Sequence, residues 1–159
     1  PVIIFEHVML LNTSGEVLEH SDVSMEQALV RQLGSDVSLI TYGGSLGKAL
    51  AAAEQLKALN ISAEVVDLRC LRPLDTQTLI ASVTQTHRAI IIDEAWFTGS
   101  LAGEVSAIIM EQAFWHLDAP VKRICTAEVP IPYPSHLEQA ALPQVEQIVI
   151  AAQHILAAR

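Results

Sequence analysis

Residues 43–47 read Gly-Gly-Ser-Leu-Gly, a G-x-S-x-G that stands where a β-branched run gives way to a helical pattern. A serine raised on such a strand-to-helix turn can be a nucleophile, provided that a base reaches its hydroxyl. Asp75 and Asp93 follow Ser45, and His136 and His154 follow them, so the Ser, Asp, His order of an acyl-transfer triad is available. Against that chemistry, only about 40 residues precede the turn, too few for the strands that come before such an elbow, and no H-G-G-G-type segment completes an oxyanion hole. With 6 histidines and 18 acids in the chain, some pair meets the order by chance. The same loop fails as a phosphate cradle. Tyr42 stands where both the P-loop and the dinucleotide fingerprint need their first glycine, and Ala49 replaces the P-loop hydroxyl residue. The glycines are read as steric, permitting a sharp turn, with Ser45 as a helix cap.

Asp93 and Glu94 fall at the carboxyl end of a predicted strand, the edge where open α/β sheets place their sites. Paired acids there could bind a metal or move protons, but no His or Cys stands nearby at ligand spacing. The preferred reading is that they solvate a loop and favour the amino end of the next helix. The histidines at 7, 20, 87, 116, 136 and 154 are scattered, with no pair at metal-binding spacing. Trp96 and Phe97 are the largest apolar residues in any predicted loop and are candidate interface anchors.

The elements that position these residues follow from hydrophobic period. Strands are predicted over residues 2–5, 37–42, 64–68, 89–92 and 121–125, and helices over 45–59, 75–86 and 100–116, with Asp75 as a cap. Pro130, Pro132 and Pro134 hold an extended path, and Pro143 opens a final helix as a first-turn proline. Residues from about 12 onward, polar and without period, read as a linker up to the regular pattern that begins near Ser35. Strands alternating with helices imply βαβ units and a mainly parallel sheet. Because aromatics make up only 4% of the 159 residues, the core must be mostly Ala, Val, Ile and Leu.

Nine Lys+Arg against 18 Asp+Glu give a net charge of −9, which excludes nucleic acid as a partner and suits a basic protein surface. Cys70 and Cys125 form no C-x-x-C and read as two reduced thiols of a cytoplasmic protein. The opening PVIIFEHVMLL has no starting Met or basic region, and Glu6 and His7 interrupt it, so neither a signal peptide nor a membrane span is predicted. It reads as a buried strand cut from something longer.

Five stretches carry a resemblance: PVIIFEH, SDVSLITYG, EVVDLRCLRPLD, SVTQTHRAIIIDEAWFTGSLAGEVSAIIMEQAFWHLDAPVKRI and VPIPYPSHLEQAALP. Together, and in this order, they resemble the beta chain of thiamine-diphosphate-dependent 2-oxoacid dehydrogenase components, most of all the pyruvate dehydrogenase type. The resemblance implies an α/β fold, a three-layer open and mainly parallel sheet with helices on both faces, like the carboxy-terminal domain of transketolases. It implies that residues 1–12 are the tail of a preceding pyrimidine-binding domain, 13–33 a linker and 34–159 the transketolase-type domain.

The resemblance also implies that thiamine diphosphate and magnesium belong to the parent assembly, held by the preceding domain and a separate alpha chain, with no catalytic, cofactor or metal residue in this stretch. The expected role is assembly with the alpha chain and a second beta chain, and docking to the small subunit-binding domain of the acyltransferase core. The docking residues it implies are Asp118, the acid of the L-D-A-P motif, and the terminal carboxylate of Arg159. Asp118, just before Pro120, is expected to be exposed and free to meet a Lys or Arg. The rival readings are another thiamine enzyme of transketolase or synthase type, and a small serine hydrolase using Ser45.

Overall fold

The computed structural model describes residues 2–14 and 24–157. Among these, five strands form one sheet in the order β1-β3-β2-β4-β5. They are β1 (Leu29–Gln32), β2 (Val37–Thr41), β3 (Ala63–Asp67), β4 (Ala89–Trp96) and β5 (Lys122–Thr126). The pairs β2–β3, β2–β4 and β4–β5 are parallel, and β1 closes one edge antiparallel to β3. Every residue of β2 and β3 is buried, as expected of strands covered on both faces.

The alternation of side chains along these strands makes two cores. On one face Val37, Leu39, Val65, Ile90 and Ile92 pack against α1 (Ser45–Ala58) and α5 (Val145–Ala157). On the other, Ile40, Val66 and Ile91 pack against α2 (Thr76–Thr86) and α3 (Leu101–Ala113). The alanines at 49, 52 and 53 let α1 lie close on the sheet, which is how a core poor in aromatics reaches full density. Buried hydroxyls bond one another: Ser38 Oγ lies 2.6 Å from Ser82 Oγ and 2.6 Å from Thr86 Oγ1, tying β2 to α2.

Two backbone details set the entry to this sheet. A Cβ on Gly34 would fall 2.2 Å from the Ala63 carbonyl carbon, so the chain crosses the start of β3 at a distance only glycine permits. Asp75 caps α2 as predicted, accepting from the Thr78 amide at 3.0 Å, and also accepts from the Ala28 amide at 3.0 Å, next to β1.

Four expectations need correction. Residues 2–5 are not a strand: Val2, Ile3, Ile4 and Phe5 are exposed and pair with no other segment among the described residues. The stretch read as a linker contains β1, an edge strand whose apolar residues do not alternate and whose place is set by its partner β3; its residues 15–23 lie outside the described residues. After the prolines comes an additional helix, α4 (Ser135–Ala141), which buries only Ala141 and therefore has no apolar stripe to announce it. The helix predicted to reach residue 116 ends at Ala113, followed by a 3-10 turn over Phe114–His116.

Candidate functional site

The carboxyl edge of the sheet gathers the residues first singled out. β2 leads through α1 to β3 on one side, and β4 leads through α3 to β5 on the other, so the strand order reverses between β2 and β4. Gly43, at φ +58°, turns the chain from β2 into α1. Ser45 is 1% exposed, and its hydroxyl has no hydrogen-bond partner. It is the first helical residue and makes no cap: the N-cap is Gly44, so the capping role expected for Ser45 is corrected. Without a base on Oγ the hydroxyl is not activated for attack.

Asp93 does not solvate a loop. It is 1% exposed and accepts from the Tyr42 hydroxyl at 2.8 Å, the Ala95 amide at 2.9 Å and the Ala102 amide at 3.0 Å. The last bond supplies an anion to the first turn of α3, the part of the expectation that holds. Burial, and then the Asp93 hydrogen bond and charge, push the Tyr42 phenol far above its ordinary value, so Tyr42 is a fixed donor and no proton shuttle. Glu94 takes the partly exposed position, 3.4 Å from Lys48 Nζ and 3.3 Å from His7 Nε2. His7 thereby anchors the otherwise exposed amino-terminal segment against Gly44, where a Cβ would lie 2.7 Å from its Nε2.

Trp96, placed by sequence in a loop, is the last residue of β4, with Phe97 just beyond it, and the two are 47% and 48% exposed. The Arg123 guanidinium lies 3.6 Å from the Phe97 ring centroid and donates to the Phe97 carbonyl at 3.1 Å, so one face of Phe97 is already covered. Glu128 accepts from the Thr98 amide at 2.8 Å, and those bonds hold its carboxyl below the usual value.

Asp118 lies at the opposite, amino edge, far in the chain from the Gly-rich turn. Three contacts fasten it. Its amide donates to the His87 carbonyl at 2.9 Å, the His87 Nδ1–H donates to the His116 carbonyl at 2.7 Å, and Asp118 Oδ2 meets Arg88 Nη2 at 3.1 Å. The carboxylate is 54% exposed. It is accessible, but not free as expected: Arg88 already holds one oxygen. Such a part-exposed pair adds about 1 kcal/mol or less, so it orients the carboxylate more than it stabilises the fold. Arg88 was legible in principle, since it immediately precedes β4 as Asp118 closely precedes the adjacent parallel β5. Arg159 lies outside the described residues.

Among the described residues no group of three or more His, Cys, Asp and Glu is placed to hold a metal ion. No described helix is long and apolar enough to cross a membrane.

Comparison with known proteins follows the same lines. The family description "Transketolase, C-terminal domain" matches residues 26–148. The "Pyruvate dehydrogenase E1 component subunit beta, mitochondrial" of Dictyostelium discoideum is 37% identical over 160 residues, covering 98% of this chain and 45% of that protein. The "Pyruvate dehydrogenase E1 component subunit beta" of Rickettsia felis is 36% identical, covering 98% of this chain and 48% of its own length. The chain thus spans about half the length of these curated relatives. A solved structure described as "Split gene transketolase, inactive beta4 tetramer" superposes with a TM-score of 0.76 at 27% identity, over 86% of this chain and 44% of that one. A strand order with one antiparallel edge, two covered faces and these matches agree: the chain belongs to the transketolase C-terminal domain family, and within it is similar to pyruvate dehydrogenase E1 beta subunits.

Proposed function

We propose that this chain is the carboxy-terminal assembly and docking domain of the beta subunit of a pyruvate dehydrogenase decarboxylating component. The parent decarboxylates a 2-oxoacid with thiamine diphosphate and magnesium and acylates a lipoyl group. The cofactor is held by the alpha chain and the preceding beta-chain domain, in an assembly of two alpha and two beta chains. The observation that carries this reading is similarity to E1 beta subunits along 98% of the chain. The half-exposed Trp96 and Phe97 serve contacts within that assembly. Two unpaired thiols suit a reducing compartment such as the cytoplasm.

Docking to the subunit-binding domain of the acyltransferase core uses Asp118. Arg88 fixes one Asp118 oxygen and leaves the other side of a half-exposed carboxylate for a basic partner, which the net charge of −9 attracts at long range. The test is the affinity of the intact assembly for its subunit-binding domain across a salt series. Binding should weaken with salt, and Asp118→Asn should weaken it further and flatten the salt dependence. A mutant that docks as tightly as the parent at every salt concentration removes Asp118 from the interface.

A second reading keeps some support. The 27% identity and TM-score of 0.76 with a split-gene transketolase fit a parent of transketolase type. Lipoyl acylation by the assembled parent decides between the two. No reading through Ser45 as a nucleophile is favoured, because its hydroxyl is buried without a base.

A further inference from the structure

Trp115 is 91% exposed, the largest side chain that the described fold leaves in water. It does not stand alone. Phe114, 49% exposed, meets it edge to face with ring centroids 5.0 Å apart, and Met110, 42% exposed, precedes it on α3. Trp115 is held by the short 3-10 turn Phe114–His116, whose His116 carbonyl accepts from His87. Three residues later the Asp118 amide is bonded to the His87 carbonyl. The ring and the carboxylate are therefore carried on one backbone clamp, so their separation is preset before any partner arrives.

Two exposed acids stand near the ring in sequence, with the exposed His116 beside it. Glu111, four residues before Trp115, and Asp118, three residues after it, are both exposed acids. Among the basic groups on the packed elements, Arg88 is engaged by Asp118 and the His87 Nδ1 by the His116 carbonyl. An indole face flanked by carboxylates attracts a cation by its quadrupole as well as by charge. Exposed tryptophan and aromatic pairs are also the side chains that most often anchor interfaces.

We infer that Trp115, with Phe114 and Met110, is the apolar anchor of a protein-docking surface centred on Asp118. Its partner presents an Arg or Lys whose stem packs on the indole while its charged head reaches the Asp118 carboxylate. Arg88 is a positioning residue for that carboxylate. The inference rests on the docking reading above and adds to it the anchor and the chemistry of the contact.

The experiment uses the full-length assembly and its purified subunit-binding domain, in parent, Trp115→Ala, Trp115→Phe and Asp118→Asn forms. At 91% exposure Trp115 can be truncated without a core rearrangement, which a melting curve verifies. Trp115→Ala is expected to weaken binding by roughly tenfold or more, with the loss in the dissociation rate, and Trp115→Phe to restore much of it. Hydrogen exchange should show protection over residues 110–118 in the complex. Affinity unchanged in Trp115→Ala beside a weakened Asp118→Asn overturns this inference alone. A parent assembly that does not bind the domain at all overturns the docking reading and this inference with it. An assembly that falls apart on Trp115→Ala, seen by sedimentation, assigns the patch to contacts between its own subunits and likewise overturns the proposal.

Discussion

Removing the Asp75 carboxylate should unfasten β1 as well as the start of α2, because one side chain serves both. Asp75 Oδ1 accepts from the Thr78 amide at 3.0 Å, and Oδ2 from the Thr78 hydroxyl at 2.6 Å and the Ala28 amide at 3.0 Å. In Asp75→Ala the lost N-cap costs about 1 kcal/mol. The part-buried Ala28 amide loses its acceptor, which adds roughly 1–2 kcal/mol. The total, about 2–3 kcal/mol, corresponds to a fall in Tm of roughly 4–12 °C for a chain of this size. Asp75→Asn separates the terms, since Asn is as good an N-cap as Asp but gives up the charge on the Ala28 bond.

Burial pushes the Asp75 carboxyl up, but the Thr78 hydroxyl and the Thr78, Ala28 and Gln77 amides outweigh it and hold the carboxyl below its ordinary value. A depressed folded-state pKa means that this stabilisation is complete above the unfolded value, near 3.9, and is lost as pH falls through the folded one. The gap between parent and Asp75→Ala should therefore be full at pH 7 and narrow below about pH 4. Urea unfolding at several pH values, with hydrogen exchange of the Ala28 amide, measures both. An Asp75→Ala chain that melts with the parent at pH 7, or whose Ala28 amide stays protected, refutes the reasoning.

Burial raises the Asp67 carboxyl against the pull of Arg69 and Arg31, so ionising it opposes folding as pH rises above its unfolded value. Asp67→Asn should raise Tm at pH 7, and the gain should vanish below about pH 4 where Asp67 is itself protonated. Gly34→Ala places a Cβ 2.2 Å from the Ala63 backbone, which cannot yield as a side-chain end would, and should cost about 3 kcal/mol in urea unfolding; a loss under about 1 kcal/mol would falsify the close approach. A fluorophosphonate probe should leave the folded chain unlabelled, and stoichiometric labelling abolished by Ser45→Ala would restore the nucleophile. Calorimetry on the isolated chain should show no thiamine diphosphate–magnesium binding in the micromolar range, and binding that tight contradicts the assignment of the cofactor to other parts of the parent.

The periodic part of the chain was legible from residues alone. The β-branched runs of β2, β3 and β4, the apolar stripes of α1, α2 and α5 and the Asp75 cap are local signals that burial on a two-faced sheet then confirms. Residue order likewise carried the family, since motifs such as DLRCLRPLD keep their place along the chain. What the tertiary structure decided was every feature whose cause lies in a distant segment. β1 is a strand because β3 offers it an edge, whereas residues 2–5, more strand-like in composition, pair with none of the described strands. Ser45 and Asp93 depart from their expected roles for a related reason: the start of α1 buries the Ser45 hydroxyl, and the Tyr42 hydroxyl, distant in sequence, together with the Ala102 amide of α3 draws the Asp93 carboxylate inward. The candidate docking acid was visible as a motif, but Arg88 came to hold it only when two parallel strands set their amino ends side by side. Hydrophobic period is a local property and is written in consecutive residues; hydrogen-bond partnership and exposure depend on which strands become neighbours, and only the packed sheet fixes that.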